Sequence, residues 1–150
     1  MVDKLFFEDF VVGQRFRSAA RQVTAEEIKA FAAQFDPQPF HLDEAAAQAT
    51  FFKGLAASGW HTAAITMRLL VDGGMPIAGG IIGAGMDEMR WPRALRPGDV
   101  ACVESEVIEV RSSDSRPGFG WLKVKSQTLN QDGQAVQVTV ANLLAPRRAA

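Results

Sequence analysis

The chain has 150 residues, of which 47% are hydrophobic and 22% charged, and its formal net charge is −1. That balance excludes a disordered chain, which lacks the apolar surface to offset ordering. It also excludes a general polyanion binder, whose affinity comes from many unopposed cations.

The length suits one domain over residues 1–150, large enough to bury a true core. A single cysteine, Cys102, rules out an internal disulfide framework and reads as a small buried hydrophobe in an alternating apolar stretch. Met1 to Phe10 mixes charges among apolar residues and has no signal-peptide core. No apolar stretch approaches the ~20 residues that span a bilayer. The expectation is a cytoplasmic protein with no nucleic-acid or membrane partner.

Arg15 to Val23 reads as a weak strand. Thr24 to Phe35 is the clearest amphipathic helix: Thr24 and Glu27 form a capping-box pattern, and Ile28, Phe31, Ala32 and Phe35 make one apolar stripe. Asp36 and Gln38 each precede a proline, which pushes a residue out of the α region. Asp36-Pro37-Gln38-Pro39-Phe40-His41 should therefore be a stiff, extended or turned segment. A short helix is expected around Asp43 to Ala49. Ser58 to Val71 carries apolar residues around most of a helical wheel, the mark of a buried helix, with Ser58 as N-cap and Gly73-Gly74 as stop.

From about Gly79 the period changes to two. Ile81 to Trp91 is a weaker strand. Val103 to Val110 is a strand whose alternation slips at Val107-Ile108, as at a bulge. Leu122 to Thr128 and Val136 to Val140 form a hairpin around Asn130-Gln131-Asp132-Gly133. Helices followed by antiparallel strands make an α+β domain. A nearly all-apolar helix needs a sheet curled around it, which is the hot-dog arrangement.

Asp36 and His41 flank the proline-stiffened loop. Folded back, a carboxylate and an imidazole there would converge on one water or substrate atom and share acid/base work near neutral pH. The plainer alternative is that Asp36 caps a turn and His41 fills a half-buried gap. Ser58-Gly59 opens the central helix, where unpaired amides and the dipole's positive end favour a developing anion. The alternative is an ordinary cap followed by a glycine chosen for packing. His61 lines a pocket or is a helix-start histidine satisfied by a backbone or hydroxyl partner.

His41, Asp43 and His61 lack metal-ligand spacing, so no metal is expected. Gly79 to Gly85 lacks the strand-before, helix-after setting of a dinucleotide loop. Trp91 and Trp121 read as core or interface anchors, and Arg147-Arg148 as a frayed tail.

Phe35-Asp36-Pro37-Gln38-Pro39-Phe40-His41, with Gly54-Leu55-Ala56-Ala57-Ser58-Gly59, resembles the hydratase motif of the MaoC-like dehydratases, which include the (R)-specific enoyl-CoA hydratases. That motif runs Asp, any residue, Asn, Pro, an aliphatic residue, His, with a glycine about eighteen residues on, where Gly59 stands. Trp91-Pro92 through Arg96-Pro97-Gly98-Asp99 resembles a later family segment, and the likeness extends back to Phe7-Glu8-Asp9-Phe10. Gln38 stands in place of the family Asn, and Phe40 in place of the aliphatic residue.

The resemblance implies a hydro-lyase acting on an enoyl-CoA or a 3-hydroxyacyl-CoA, with coenzyme A present only as part of the substrate and no separate cofactor. Asp36 and His41 would activate water and relay the proton, and the Gly59 amide would meet the thioester oxygen. Gln38, Phe40, Ser58 and His61 would line the substrate site. Lys53, Arg68, Arg90, Arg93 and Arg96 are candidates for the coenzyme A phosphates, with solvated surface charge as the alternative. The resemblance also implies a homodimer or a dimer of dimers. Two other readings share the fold: a hot-dog acyl-CoA thioesterase and a non-catalytic acyl-CoA-binding subunit.

Overall fold

The computed structural model describes residues 3–149. Its strands are β1 (Arg15–Arg17), β2 (Arg21–Gln22), β3 (Ile82–Arg90), β4 (Val100–Ser112), β5 (Phe119–Leu129) and β6 (Ala135–Pro146). Its α-helices are α1 (Ala25–Phe35), α2 (Pro39–Leu42), α3 (Glu44–Ala47) and α4 (Gly59–Leu69). The antiparallel sheet runs β1-β4-β5-β6-β3, with β2 also on β4. It curls around α4, giving the hot-dog fold. No described helix is long and apolar enough to cross a membrane.

Local chemistry sets the element ends. The Thr24 hydroxyl accepts the Glu27 N–H, and the Glu27 carboxylate accepts the Thr24 N–H, closing the capping box of α1. Ser58 caps α4, its hydroxyl accepting the Trp60 N–H. The helix runs on as a π turn over Leu70–Gly74 and stops where Gly73 takes φ 135°, which a β-carbon would oppose. The β4–β5 register shifts between Val107 and Glu109, the bulge expected from the broken alternation.

One core cluster packs Ile65 and Leu69 of α4 against Ile28, Leu95, Val103 and Val136. A second gathers Phe7, Phe10, Ile77, Val107, Leu122 and Val124. Phe7 lies so close over Gly120 that a β-carbon there would sit 2.2 Å from its ring. Cys102 is buried, as expected.

One local expectation is narrowed and three are corrected. Pro39 occupies the first turn of α2, so of the extended or turned alternatives the segment takes the turned one, with His41 on a short helix; proline is favoured there because its missing N–H would be unpaired anyway. Phe35, assigned to the α1 stripe, is 66% exposed, because α1 ends at it and it packs only against Phe31 in the ring pairs found. α4 is not enclosed all round: Trp60, Met67 and Val71 form an exposed stripe. Arg147 and Arg148 are not a frayed tail. They stack over Phe7 and Phe6 at 4.7 and 5.2 Å and pair with Glu8 and Asp9, pinning the end of β6 to the amino-terminal turn.

Candidate active site

Pro37 and Pro39 bend the chain after α1, and α2 then carries His41 back under Asp36. The His41 Nε2 lies 3.4 Å from Asp36 Oδ2, both side chains being largely buried. His41 Nδ1 lies 2.6 Å from the Ala56 carbonyl. A carbonyl only accepts, so Nδ1 carries a proton and Nε2 is the ring nitrogen turned toward the Asp36 carboxylate. Phe40 stands edge-on to the imidazole, with ring centroids 4.6 Å apart, and Phe52 closes another side at 6.0 Å.

Asp36 is held from three directions. The Ser58 hydroxyl donates to Oδ2 at 2.6 Å, the Gln38 amide donates to Oδ1 at 2.5 Å, and His41 faces Oδ2. Partial burial pushes the carboxyl's pKa up, but the Ser58 and Gln38 hydrogen bonds and the nearby His41 outweigh it, leaving it below the ordinary carboxylate value. A carboxylate offers about four acceptor positions, and the Ser58 and Gln38 donors take two of them.

The segment 52–58 that delivers Ser58 is itself clamped. Lys53 at φ 54° and Gly54 at φ 157° turn the chain sharply. The Arg96 guanidinium donates to the carbonyls of Phe52, Gly54 and Leu55 at 2.6, 3.0 and 3.2 Å. Among the described residues the Gly59 N–H finds no acceptor. The Trp91 indole lies flat against Gly59: an added β-carbon would fall 2.8–2.9 Å from the ring. His41, Ala57, Gly59, Thr62, Trp91 and Phe52 line one cavity of about 290 Å³. Asp36 reaches that wall through His41 and Ser58 rather than lining it.

The structure thus brings Asp36, His41, Ser58, Gln38, Phe40 and Gly59 together. His61, two residues beyond Gly59 on α4, does not line that cavity. That ring is buried, stacks on Phe31 at 4.7 Å, and leaves Nδ1 without a hydrogen-bond partner among the described residues. The expected backbone or hydroxyl partner is therefore not there, because the stacked ring lies against apolar α1 rather than a polar segment. Burial, helped by Arg21 and His41 and opposed by Glu27, lowers the His61 pKa and favours the neutral ring.

Among the candidate cations, Arg96 is committed to backbone carbonyls, Arg68 pairs with Asp72 and Arg90 with Glu88. Sequence reasoning did not find the Ala56 carbonyl or the Arg96 clamp, since a main-chain acceptor carries no side-chain signature. It read Trp91 only as an anchor.

The family model described as MaoC like domain matches residues 9–128. A curated protein of Bacillus subtilis (strain 168), YdeM, itself uncharacterized, is 33% identical over 124 residues, covering 83% of this chain and 86% of its own. A crystal structure of a MaoC-like dehydratase from Rhodospirillum rubrum superposes with a TM-score of 0.94 at 56% identity, covering 97% of this chain and 99% of the other. The R-hydratase PhaJ1 from Pseudomonas aeruginosa superposes with a TM-score of 0.77 at 27% identity, covering 97% and 88%. With a family match over most of its length and a fold shared from end to end, the chain belongs to the MaoC-like dehydratase family.

Proposed function

We propose that this protein is a hydro-lyase that adds water across the double bond of an enoyl-CoA thioester, or removes it from the matching 3-hydroxyacyl-CoA. The observation that carries this reading is the shared cavity between His41 and the unpaired Gly59 amide, with the Asp36 carboxylate fixed behind the imidazole. The R-hydratase and MaoC-like dehydratase among its structural neighbours support the same chemistry.

In the hydration direction, a water in the cavity beside His41, activated by the His41/Asp36 pair, attacks the β-carbon. The new C–O bond forms as the C=C π pair moves to the α-carbon and thioester oxygen. The proton lost by the water goes to the Asp36/His41 pair, where the ionised carboxylate stabilises an imidazolium. The enolate-like oxygen accepts the Gly59 N–H at the amino end of α4, a donor already aimed where charge develops. The pair then returns the proton to the α-carbon. Water has been added and the enzyme is unchanged; dehydration runs the same steps backwards.

Lys53 and Arg93 are the remaining candidates for the coenzyme A phosphates. Arg93 lines the cavity and Lys53 follows the lining residue Phe52. Neither has an ion-pair partner among the described residues, whereas the other three candidates are already engaged.

A homodimer fits the same surface. β3 pairs only with β6 among the described strands, and its free edge adjoins exposed Ile82, Met86 and Trp91 beside the Trp60–Met67–Val71 stripe of α4. An open edge flanked by apolar side chains is a template for pairing with a second copy.

The test is incubation with crotonyl-CoA, followed by enoyl absorbance and a free-thiol reagent together. Loss of absorbance without thiol supports the reading. Thiol release assigns a thioesterase instead, and binding without either change assigns a non-catalytic acyl-CoA-binding subunit.

A further inference from the structure

A second cavity, the inner one in helix order and also about 290 Å³, lies farther along α4 and reaches the surface at exposed Met67 and Met86. The two follow one another on the same helix: Gly59 and Thr62 face the first, Ala63, Thr66 and Met67 the second. The inner one is predominantly apolar, and four of the chain's five methionines, Met67, Met75, Met86 and Met89, face it. Methionine is unbranched and polarizable, so such a wall adapts to flexible apolar groups of differing shape.

Between the cavities stands one hydrogen-bonded pair. Trp91 lines the outer cavity and Gln137 the inner one. The Trp91 Nε1–H donates to Gln137 Oε1 at 2.9 Å. Gln137 is itself only 2% exposed and donates through Nε2 to Thr66 Oγ1 at 3.3 Å. Thr66 Oγ1 in turn lies 2.6 Å from Thr128 Oγ1 and donates or accepts within a buried network that joins α4 to β5. Buried polar groups are costly to leave unpaired, so the indole is held in place from the sheet side. On its other side it rests against the Gly59 Cα and meets Trp60 edge-on at 5.4 Å.

We infer that Trp91, tethered by Gln137, is the partition that sets acyl-chain length. Resting on the proposed hydro-lyase reading, it confines the enzyme to short enoyl thioesters that fit the outer cavity. Longer chains reach the methionine-lined cavity only when the indole is removed or released. A thioester oxygen seated at the Gly59 amide directs the acyl chain past this ring, because the ring covers the Gly59 Cα.

The experiment compares kcat/KM for crotonyl-, octenoyl- and dodecenoyl-CoA in wild type, Trp91→Ala and Trp91→Phe. Pocket discrimination of this kind is worth about tenfold or more per misfit. Wild type should therefore favour crotonyl-CoA over octenoyl-CoA by at least about tenfold. Trp91→Ala should raise octenoyl-CoA turnover relative to crotonyl-CoA until the preference is lost or reversed. Trp91→Phe keeps an aromatic ring over Gly59 without the Nε1–H tether, so it guards against a folding defect in the alanine variant and should move the ratio the same way by a smaller factor.

Equal use of all three substrates by wild type, or an unchanged ratio in both variants, overturns the inference. Calorimetric binding of butyryl-CoA and octanoyl-CoA separates the two readings. If wild type hydrates nothing, the hydro-lyase reading fails, yet tighter butyryl-CoA binding that Trp91→Ala equalises still establishes the partition. Absence of any chain-length dependence in binding then overturns the partition as well.

Discussion

The Ser58 hydroxyl and the Asp36 carboxylate meet at 2.6 Å although 22 residues separate them. Ser58 is fully buried, and the same oxygen that donates to Asp36 accepts the Trp60 N–H at 3.2 Å. One side chain therefore caps the central helix and fixes the orientation of the acid. The amino end of α4 and the acid/base pair are thus mechanically one unit.

Replacing Ser58 with Ala removes a donor that holds the Asp36 carboxyl below its ordinary value of 3.8. The carboxyl pKa should rise, and the acid limb of kcat/KM, which reports groups of the free enzyme, should shift to higher pH. The linkage has the same sign. A carboxyl depressed in the folded state adds stability above 3.8 that is lost as pH falls through its folded value, so Ser58→Ala should lose that increment at higher pH than wild type. Loss of the cap should cost about 1 kcal/mol in addition. pH–rate profiles and denaturant melts at several pH values check both.

Asp36→Asn and His41→Gln keep shape while removing the base and the proton carrier. Each should lower crotonyl-CoA hydration by about 10²–10⁴-fold, the usual span for acid/base groups. Circular dichroism melts should stay near wild type for Asp36→Asn, because Asn can still accept the Ser58 hydroxyl. Near-normal turnover by either variant would remove the pair from the mechanism.

Gly59→Ala places a methyl 2.8–2.9 Å from three ring atoms of Trp91. Overpacking of this kind costs about 1–3 kcal/mol, and the ring must shift away from the amide beneath it. Stability and hydration should fall together. Trp91→Ala in the same chain should recover part of the stability, a coupling that a double-mutant cycle measures.

His61→Phe should preserve the stack on Phe31 while removing a buried nitrogen that has no partner among the described residues. An unmet buried polar group costs about 1–3 kcal/mol, so the variant should be as stable as wild type or more so at neutral pH. The pH dependence should differ. The His61 pKa is lowered by burial from 6.5, so the unfolded chain binds the proton first and wild-type stability falls as pH drops below 6.5 toward the folded value. His61→Phe should flatten that part of the curve, as followed by thermal melts from acidic to neutral pH.

Much of this molecule is written in local pattern. The Thr24/Glu27 box, the stripe through Ile28 and Ala32, the Ser58 cap and the slip at Val107 depend on neighbours a few residues apart, and short-range geometry decides them. The proline-bounded Asp36–His41 loop and the spacing to Gly59 were legible for the same reason. The tertiary structure alone decided the rest. Whether Phe35, Trp60 or Met67 faces the core depends on what the curled sheet covers, and a hydropathy wheel has no knowledge of the sheet. The His41 Nδ1 proton is placed by a carbonyl at Ala56, Arg96 serves the 52–55 turn rather than a ligand, and Trp91 meets Gln137 across 46 residues of chain. Such contacts arise from how distant elements pack, and a side chain's chemical type does not specify its partner until the chain has folded.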